Sequence, residues 1–319
     1  MDARAEGVST VRPTRGWIAT AVLLLLLLLA AVGVTDARAA FPGSNGAIAF
    51  TRNGHVWKIE PDGTQVKLAK GEQPAWSPDG SRIAYVRPSR RGYQLWTMAA
   101  DGSDRTPILT DTFSAAPSWS PDGLRLVFSG FSASGPANHD LYTIQANPPF
   151  GLPVQITQTP YSDEEHPTWS PNGTRIAFDQ LACTKSCGYR IGAVDPDGAH
   201  YTLLTPETFD DETLPDWSPD SSTLLFTSNR ADPDGFFDYD VFSMAATGGP
   251  VTRITRGAGD ARNSSPAWAP DGSRFAYVHQ GPLHGTVTLR TAAPDGSAAV
   301  RLCRVSGFFD QPPDWQPIL

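Results

Sequence analysis

Sulfur and histidine are scarce in this chain of 319 residues, which holds three cysteines, three methionines and six histidines. The histidines, His55, His139, His166, His200, His279 and His284, form no H-x-H or H-E-x-x-H pattern, so no metallopeptidase helix is written here. The phrase "GFSASG" at Gly130 to Gly135 is not G-x-S-x-G, which leaves no nucleophile elbow. A 3.6-residue apolar period is missing after residue 40, and its absence argues against stacked helical repeats. Basic residues are outnumbered, 25 against 33 acidic ones, for a net charge of −8. A negative balance of that size disfavours nucleic acid and anionic membrane as partners and leaves cationic, polar or neutral ones open.

Apolar runs are confined to the start. Arg4, Arg12 and Arg15 precede "WIATAVLLLLLLLAAVGV", Trp17 to Val34, and "ARA" at Ala37 to Ala39 supplies small residues for cleavage. Residues 1–39 are therefore expected to be a secretory signal peptide, cut between Ala39 and Ala40; the alternative is an uncleaved anchor, since 18 apolar residues are near the lower limit for a span. No cysteine follows the run and no twin arginine precedes it, so neither lipoprotein anchoring nor twin-arginine export is indicated. Removal of the leader leaves 280 residues, with 21 basic and 30 acidic side chains, and no membrane insertion is expected after it.

What the chain has in abundance is one phrase. "PAWSPDGSRIAYV" from Pro74 returns as "PSWSPDGLRLVFS" from Pro117, "PTWSPNGTRIAFD" from Pro167, "PDWSPDSSTLLFT" from Pro215 and "PAWAPDGSRFAYV" from Pro266, with a final fragment "PDWQP" from Pro313. The six tryptophans, Trp76, Trp119, Trp169, Trp217, Trp268 and Trp315, are spaced by 43, 50, 48, 51 and 47 residues. That period belongs to propellers and helical arrays, and local chemistry decides between them. Pro-Asp-Gly is a turn. The segments after it are short and apolar at successive positions, as with Ile83 and Ala84 or Leu126 and Val127. Successive strand residues point to opposite faces, so both faces of these strands are buried, as in propeller blades. The fragment "PDWQP" is an innermost strand without followers, and the segment from Phe41 to Ala69 reads as three strands without an innermost one. Joined, they complete one blade. The expected fold is all-β, a six-bladed β-propeller over residues 40–319, closed by the C-terminal strand joining the N-terminal blade.

At these repeats the chain resembles the TolB-type β-propeller repeat family, and the "SNR" at Ser228 to Arg230 is similar to that family's exit from the second strand of a blade. The resemblance covers Phe41 to Trp315. It implies an exported six-bladed propeller that serves as a binding platform, with cell-envelope proteins as partners. The separate α/β domain that TolB carries ahead of its propeller has no counterpart between the leader and the first blade. Similar repeats also precede the hydrolase domain of prolyl-oligopeptidase-like enzymes; no such domain follows here.

If the strands of each blade are named a to d outward, the a–b and c–d turns are short and uniform. The b–c and d–a loops, at the other end of the ring, are long and varied. Long loops on a rigid scaffold are where binding usually sits, so the partner is expected on that face. The candidate residues there are Asp163, Glu164, Glu165 and His166 on one d–a loop, Asp210, Asp211 and Glu212 on the next, and Asp310 before the last inner strand. They would form an acidic rim for a basic segment, a cation or a polar ligand; the plain alternative is a solvated loop surface. "DPDGFFDYD" offers Asp232, Asp234, Asp238 and Asp240 as a weak calcium candidate, because its spacing departs from the EF-hand and lacks the twelfth-position Glu. No other cofactor is indicated. Cys183 and Cys187 are expected to form a disulfide across their loop, a zinc site there lacking two ligands. Cys303 has no obvious partner. No catalytic residues are assigned. The expected function is binding of a cell-envelope or extracellular protein by a monomer; the alternative is a propeller enzyme of lyase or hydrolase type acting on a glycan or small molecule at the channel mouth, with His166 and neighbouring carboxylates.

Overall fold

The computed structural model describes residues 43–90, 92–110, 114–131, 138–183, 187–206, 210–231, 238–257, 261–282, 285–306 and 312–319, with the backbone alone of Ser114, Ala182 and Cys183. The chain divides into a segment Met1–Ala37, outside the described residues, and a unit Arg38–Leu319. Among the described residues no helix is long and apolar enough to cross a membrane.

The unit is a ring of six four-stranded antiparallel sheets. The first blade takes β1 (Ser44–Thr51), β2 (His55–Ile59) and β3 (Gln65–Lys70). The second is β4 (Glu72–Trp76), β5 (Arg82–Ser89), β6 (Gly92–Ala99) and β7 (Thr106–Leu109). The third is β8 (Ser114–Trp119), β9 (Arg125–Phe131), β10 (His139–Gln145) and β11 (Val154–Gln155). The fourth is β12 (Ser162–Trp169), β13 (Ile176–Cys183), β14 (Cys187–Val194) and β15 (Thr202–Leu203). The fifth is β16 (Glu212–Trp217), β17 (Thr223–Ser228), β18 (Asp240–Ala245) and β19 (Thr252–Arg253). The sixth is β20 (Arg262–Trp268), β21 (Phe275–Gln280), β22 (Val287–Ala292) and β23 (Val300–Arg304). The last strand, β24 (Asp314–Ile318), returns to the first blade and pairs antiparallel with β1, Ile48 facing Trp315. The expected composite blade is therefore present, and it removes the free sheet edge that an open ring would expose.

Each junction between blades has its own apolar cluster. Ile83 packs with Trp76 and the first blade, while its neighbour Ala84 packs with Trp119 and the third. Leu126 and Val127 divide in the same way between the Trp119 and Trp169 clusters. Two adjacent apolar letters in a strand thus serve two different interfaces, which is why these strands do not alternate. The Pro-Asp-Gly turns form as the sequence requires. In the second blade the Gly80 amide donates to the Ser77 carbonyl (2.8 Å) and Asp79 Oδ1 accepts from the Ser81 amide (3.0 Å). Gly80 has φ +66°, and a Cβ there would lie 2.3 Å from the Pro317 carbonyl oxygen, so glycine is required both by backbone and by the returning strand.

The inner strands are longer than the sequence suggests. Residues 162–166 belong to β12 and Glu212 opens β16, so these parts of the segments expected as d–a loops are channel-side strands, while Asp210 and Asp211 precede β16. Their charged letters hide strand structure because the partners that satisfy them lie elsewhere in the chain.

Candidate functional site: the central channel and its acidic mouth

Five of the six inner strands carry the same irregularity three residues before their tryptophan. Gln73, Ala116, His166, Leu214 and Ser265 all have φ between +46° and +57°, and each is followed by proline. The ladder slips at these points, for example between Glu165 and Thr168 on β12. Such a bulge re-aims side chains and frees an amide. The freed amides are caught by the preceding blade: Leu214 donates to Asp179 Oδ2 (2.8 Å), Ser265 to Thr227 Oγ1 (2.9 Å) and Ala116 to Gln73 Oε1 (2.9 Å).

Beyond the bulge, the residue before each tryptophan faces a central channel: Ala75, Ser118, Thr168, Asp216, Ala267 and Asp314. The two aspartates are half-buried, on the channel wall and enclosed by the ring. Burial pushes Asp216 up to about 8, against the Trp268 amide that it accepts, and pushes Asp314 up to about 7. Asp314 Oδ2 accepts the Trp76 amide at 2.5 Å, and Asp216 Oδ2 that of Trp268 at 2.7 Å, so both carboxyls also bind blade to blade. Sequence reasoning passed over them although a signal existed, since "PDWSP" and "PDWQP" alone place an acid at this position.

At the long-loop end, the fourth and fifth blades gather the expected acids but use them differently. Glu164 is fully buried and accepts from Thr159 Oγ1 (2.5 Å), Thr157 Oγ1 (3.1 Å) and the Tyr201 hydroxyl (3.2 Å); burial pushes it up to about 7. Glu212 is also fully buried and pairs with Arg230 of the "SNR" phrase. These two belong to the core of their junctions. Asp163 and Glu165 are partly exposed and hold His139 Nδ1 between them, at 3.2 and 3.1 Å. Burial alone would lower His139; the two carboxylates outweigh it and raise it. Asp211 accepts the Tyr239 hydroxyl (3.0 Å), and Asp210 lies beside it, partly exposed. His166, on the channel wall, places Nδ1 3.0 Å from Asp179 Oδ2, a carboxylate wholly buried beneath it and raised by that burial. One ligand atom from each of Glu165, His166 and Asp179 lies within 4.8 Å of the others, a spacing that suits a metal ion. His139, Asp179, Tyr189 and Tyr239 join this region without having been singled out by sequence.

Of the calcium candidates, Asp240 is buried and takes hydrogen bonds from Thr255 Oγ1 (2.7 Å), Asn263 Nδ2 (2.7 Å) and Arg253. Calcium would have to displace those partners. Asp238 is partly exposed; Asp232, Asp234 and Asp310 lie outside the described residues. Cys187 is disulfide-bonded, and the register sets Cys183 opposite it across the β13–β14 hairpin. Cys303 is a free, buried thiol, pushed up to about 11 by burial.

A closed ring of six blades, pierced by a channel and carrying recurrent bulged inner strands, defines a β-propeller. Residues 165–318 match the family model described as "TolB beta propeller domain", so the repeat resemblance stands in sequence for that stretch. Among solved structures, TolB from Acinetobacter baumannii superposes with a TM-score of 0.68 at 20% identity, covering 96% of this chain and 74% of that one. The putative TolB from Agrobacterium tumefaciens gives 0.64 at 21% identity, covering 84% and 93%. An oligogalacturonate lyase in complex with manganese gives 0.54 at 15% identity, covering 82% and 78%. At these identities the likeness is one of fold. No curated protein matches the chain by sequence.

Proposed function

We propose that this is an exported propeller, its leader residues 1–39, that binds a protein or other component of the cell envelope through its long-loop face. The observation that carries the reading is the arc of partly exposed carboxylates, Asp163, Glu165, Asp210 and Asp211, set on and beside rigid inner strands of two adjoining blades at the mouth of the channel. Fixed acids of one sign at a concave mouth focus a field that draws cationic groups, so the segment received is a basic one. The TolB likeness in fold supports a binding role in the envelope. The test is affinity capture from envelope extract with the chain from Ala40 as bait, against Asp163→Asn, Asp210→Asn and Asp211→Asn combined. Asparagine removes the charge and keeps one acceptor oxygen, the other becoming an amide donor. A partner captured by the parent and lost from the variant is expected; a partner retained equally by both sinks the reading.

The Glu165–His166–Asp179 group favours a second reading, a metal-dependent propeller enzyme acting on a glycan or small molecule at the same mouth. Here metal analysis after dialysis against manganese or zinc should find one ion per chain, lost in His166→Ala. A metal-free parent chain removes this alternative.

A further inference from the structure

The net charge hides an uneven division of charge among the blades. In the fourth and fifth blades the described residues include 13 acids and 5 bases; in the sixth and first they include 9 bases and 5 acids. The excess cations are on the outside. Lys67 and Lys70 on β3, and Arg301 and Arg304 on β23, are all exposed. None of the four has an ion-pair partner among the described residues.

Edge protection is the ordinary use of charge on an outer strand, and it does not account for this pattern. Edge protection would mark every blade. The outer strands β7, β11 and β15 carry no charge at all, and Arg253 on β19 is held by the buried Asp240. Free cations occur only on the two outer strands that are neighbours across one junction. That junction is fixed: Ile48, Phe50 and Trp315 of the first blade pack with Ala276, Leu289 and Cys303 of the sixth, and the Asn53 amide donates to Ser306 Oγ at 2.5 Å. The two outer strands that carry the four cations are therefore held in a fixed relation.

We propose that the outer wall of the sixth and first blades docks on an anionic phospholipid bilayer. Basic side chains near such a surface each add to the attraction through its negative potential. Exposed strand edges form a wall rather than a pocket, and none of the four cations lines the principal pockets among the described residues, which suits an extended surface better than a discrete ligand. The overall acidity does not oppose this docking, because the acidic surplus is carried by the fourth and fifth blades rather than by these two, and exposed charges beyond about 10 Å are screened at physiological salt.

The test is co-sedimentation of the chain from Ala40 with vesicles of phosphatidylcholine and phosphatidylglycerol in equal parts, and with phosphatidylcholine alone. Binding to the anionic vesicles only, released by high salt, is expected. Lys67→Gln, Lys70→Gln, Arg301→Gln and Arg304→Gln combined should weaken it at least tenfold. The control Arg87→Gln with Arg90→Gln, exposed on the second blade, should leave it unchanged. A parent chain that ignores anionic vesicles overturns the proposal. So does a quadruple variant that binds like the parent or no worse than the control. An acidic protein captured through these four residues, without vesicle binding, assigns the wall to a different partner and equally overturns it. The acidic-mouth variant tested above should sediment like the parent, which keeps the two surfaces separable.

Discussion

Asp216 and Asp314 show how one residue can serve the ring and also tax it. Each carboxyl receives a tryptophan amide from the next blade, and each does so inside the protein, where ionisation is disfavoured. Their folded-state values, about 8 and about 7, lie above the ordinary aspartate value of 3.8 that the unfolded chain retains. A raised acid costs the fold nothing while both states hold the proton. The penalty grows as pH climbs from about 4 through those folded values, and it is complete above them. Asp216→Asn and Asp314→Asn, which keep an acceptor oxygen, should therefore raise the melting temperature at pH 8.5 and lose that advantage toward pH 4. Thermal unfolding across that range checks it; an advantage independent of pH would mean that the carboxyls are not strained by ionisation. At this scale the sequence was partly legible. The tryptophans, the Pro-Asp-Gly turns and the two-faced strand letters announced their roles. The left-handed bulge at His166 or Ala116 did not, because no one residue type marks it: glutamine, alanine, histidine, leucine and serine all occupy it. Its cause is tertiary, an amide captured by the neighbouring blade.

Strands of the fourth blade explain why the acidic segment read as a loop. Four polar letters in succession, Asp163 to His166, have no local justification for a strand, yet β12 is a strand throughout. Glu164 is held by Thr157 and Thr159 of the third blade and by Tyr201 of its own, and His166 by Asp179 on the adjoining β13. Only the folded ring brings these partners together. The same blade contains a second long-range dependence. Gly192 on β14 has ordinary strand geometry, but a Cβ there would come within 2.6 Å of the Phe178 ring, which packs on Tyr201 at 5.2 Å. Gly192→Ala should push Phe178 against Tyr201 and disturb the hydroxyl that serves Glu164. Overpacking of this kind typically costs about 1–3 kcal/mol. Chemical denaturation should show that loss, and Phe178→Leu in the same background should recover part of it by making room. Recovery by the double variant is the informative outcome, because a loss caused merely by alanine in a strand would remain.

Closure is the property of the whole molecule on which both candidate surfaces depend. The composite blade was legible because the two ends of the repeat were incomplete in complementary ways. The division of charge around the ring was not, since a single total of −8 conceals which blades carry each sign. Both surfaces need blades fixed relative to one another, and β24 is the strand that fixes the last to the first. It supplies Trp315 to the cluster between the sixth and first blades, where its Nε1 donates to the Gly46 carbonyl at 3.1 Å. On its other side Gln316 Nε2 reaches the Gly80 carbonyl of the second blade at 2.8 Å, and Asp314 takes the Trp76 amide. Ending the chain after residue 311 should therefore cost far more than one strand. It would bare the apolar inner edge of β1, with Ala47, Ile48, Ala49 and Phe50, and free two junctions at once. Trp315→Ala, which keeps the strand and removes one large apolar side chain, should cost about 3–5 kcal/mol and leave a folded monomer. The truncated chain should instead lose cooperative unfolding or associate through its open edge, as size-exclusion chromatography with scattering would detect. A synthetic peptide of residues 312–319 should reverse this in trans by filling the vacant place beside β1. A truncated chain that stays monomeric and unfolds as sharply as the parent would mean that five complete blades hold the ring without the first being closed, and that the spacing between acidic mouth and basic wall does not depend on this strand.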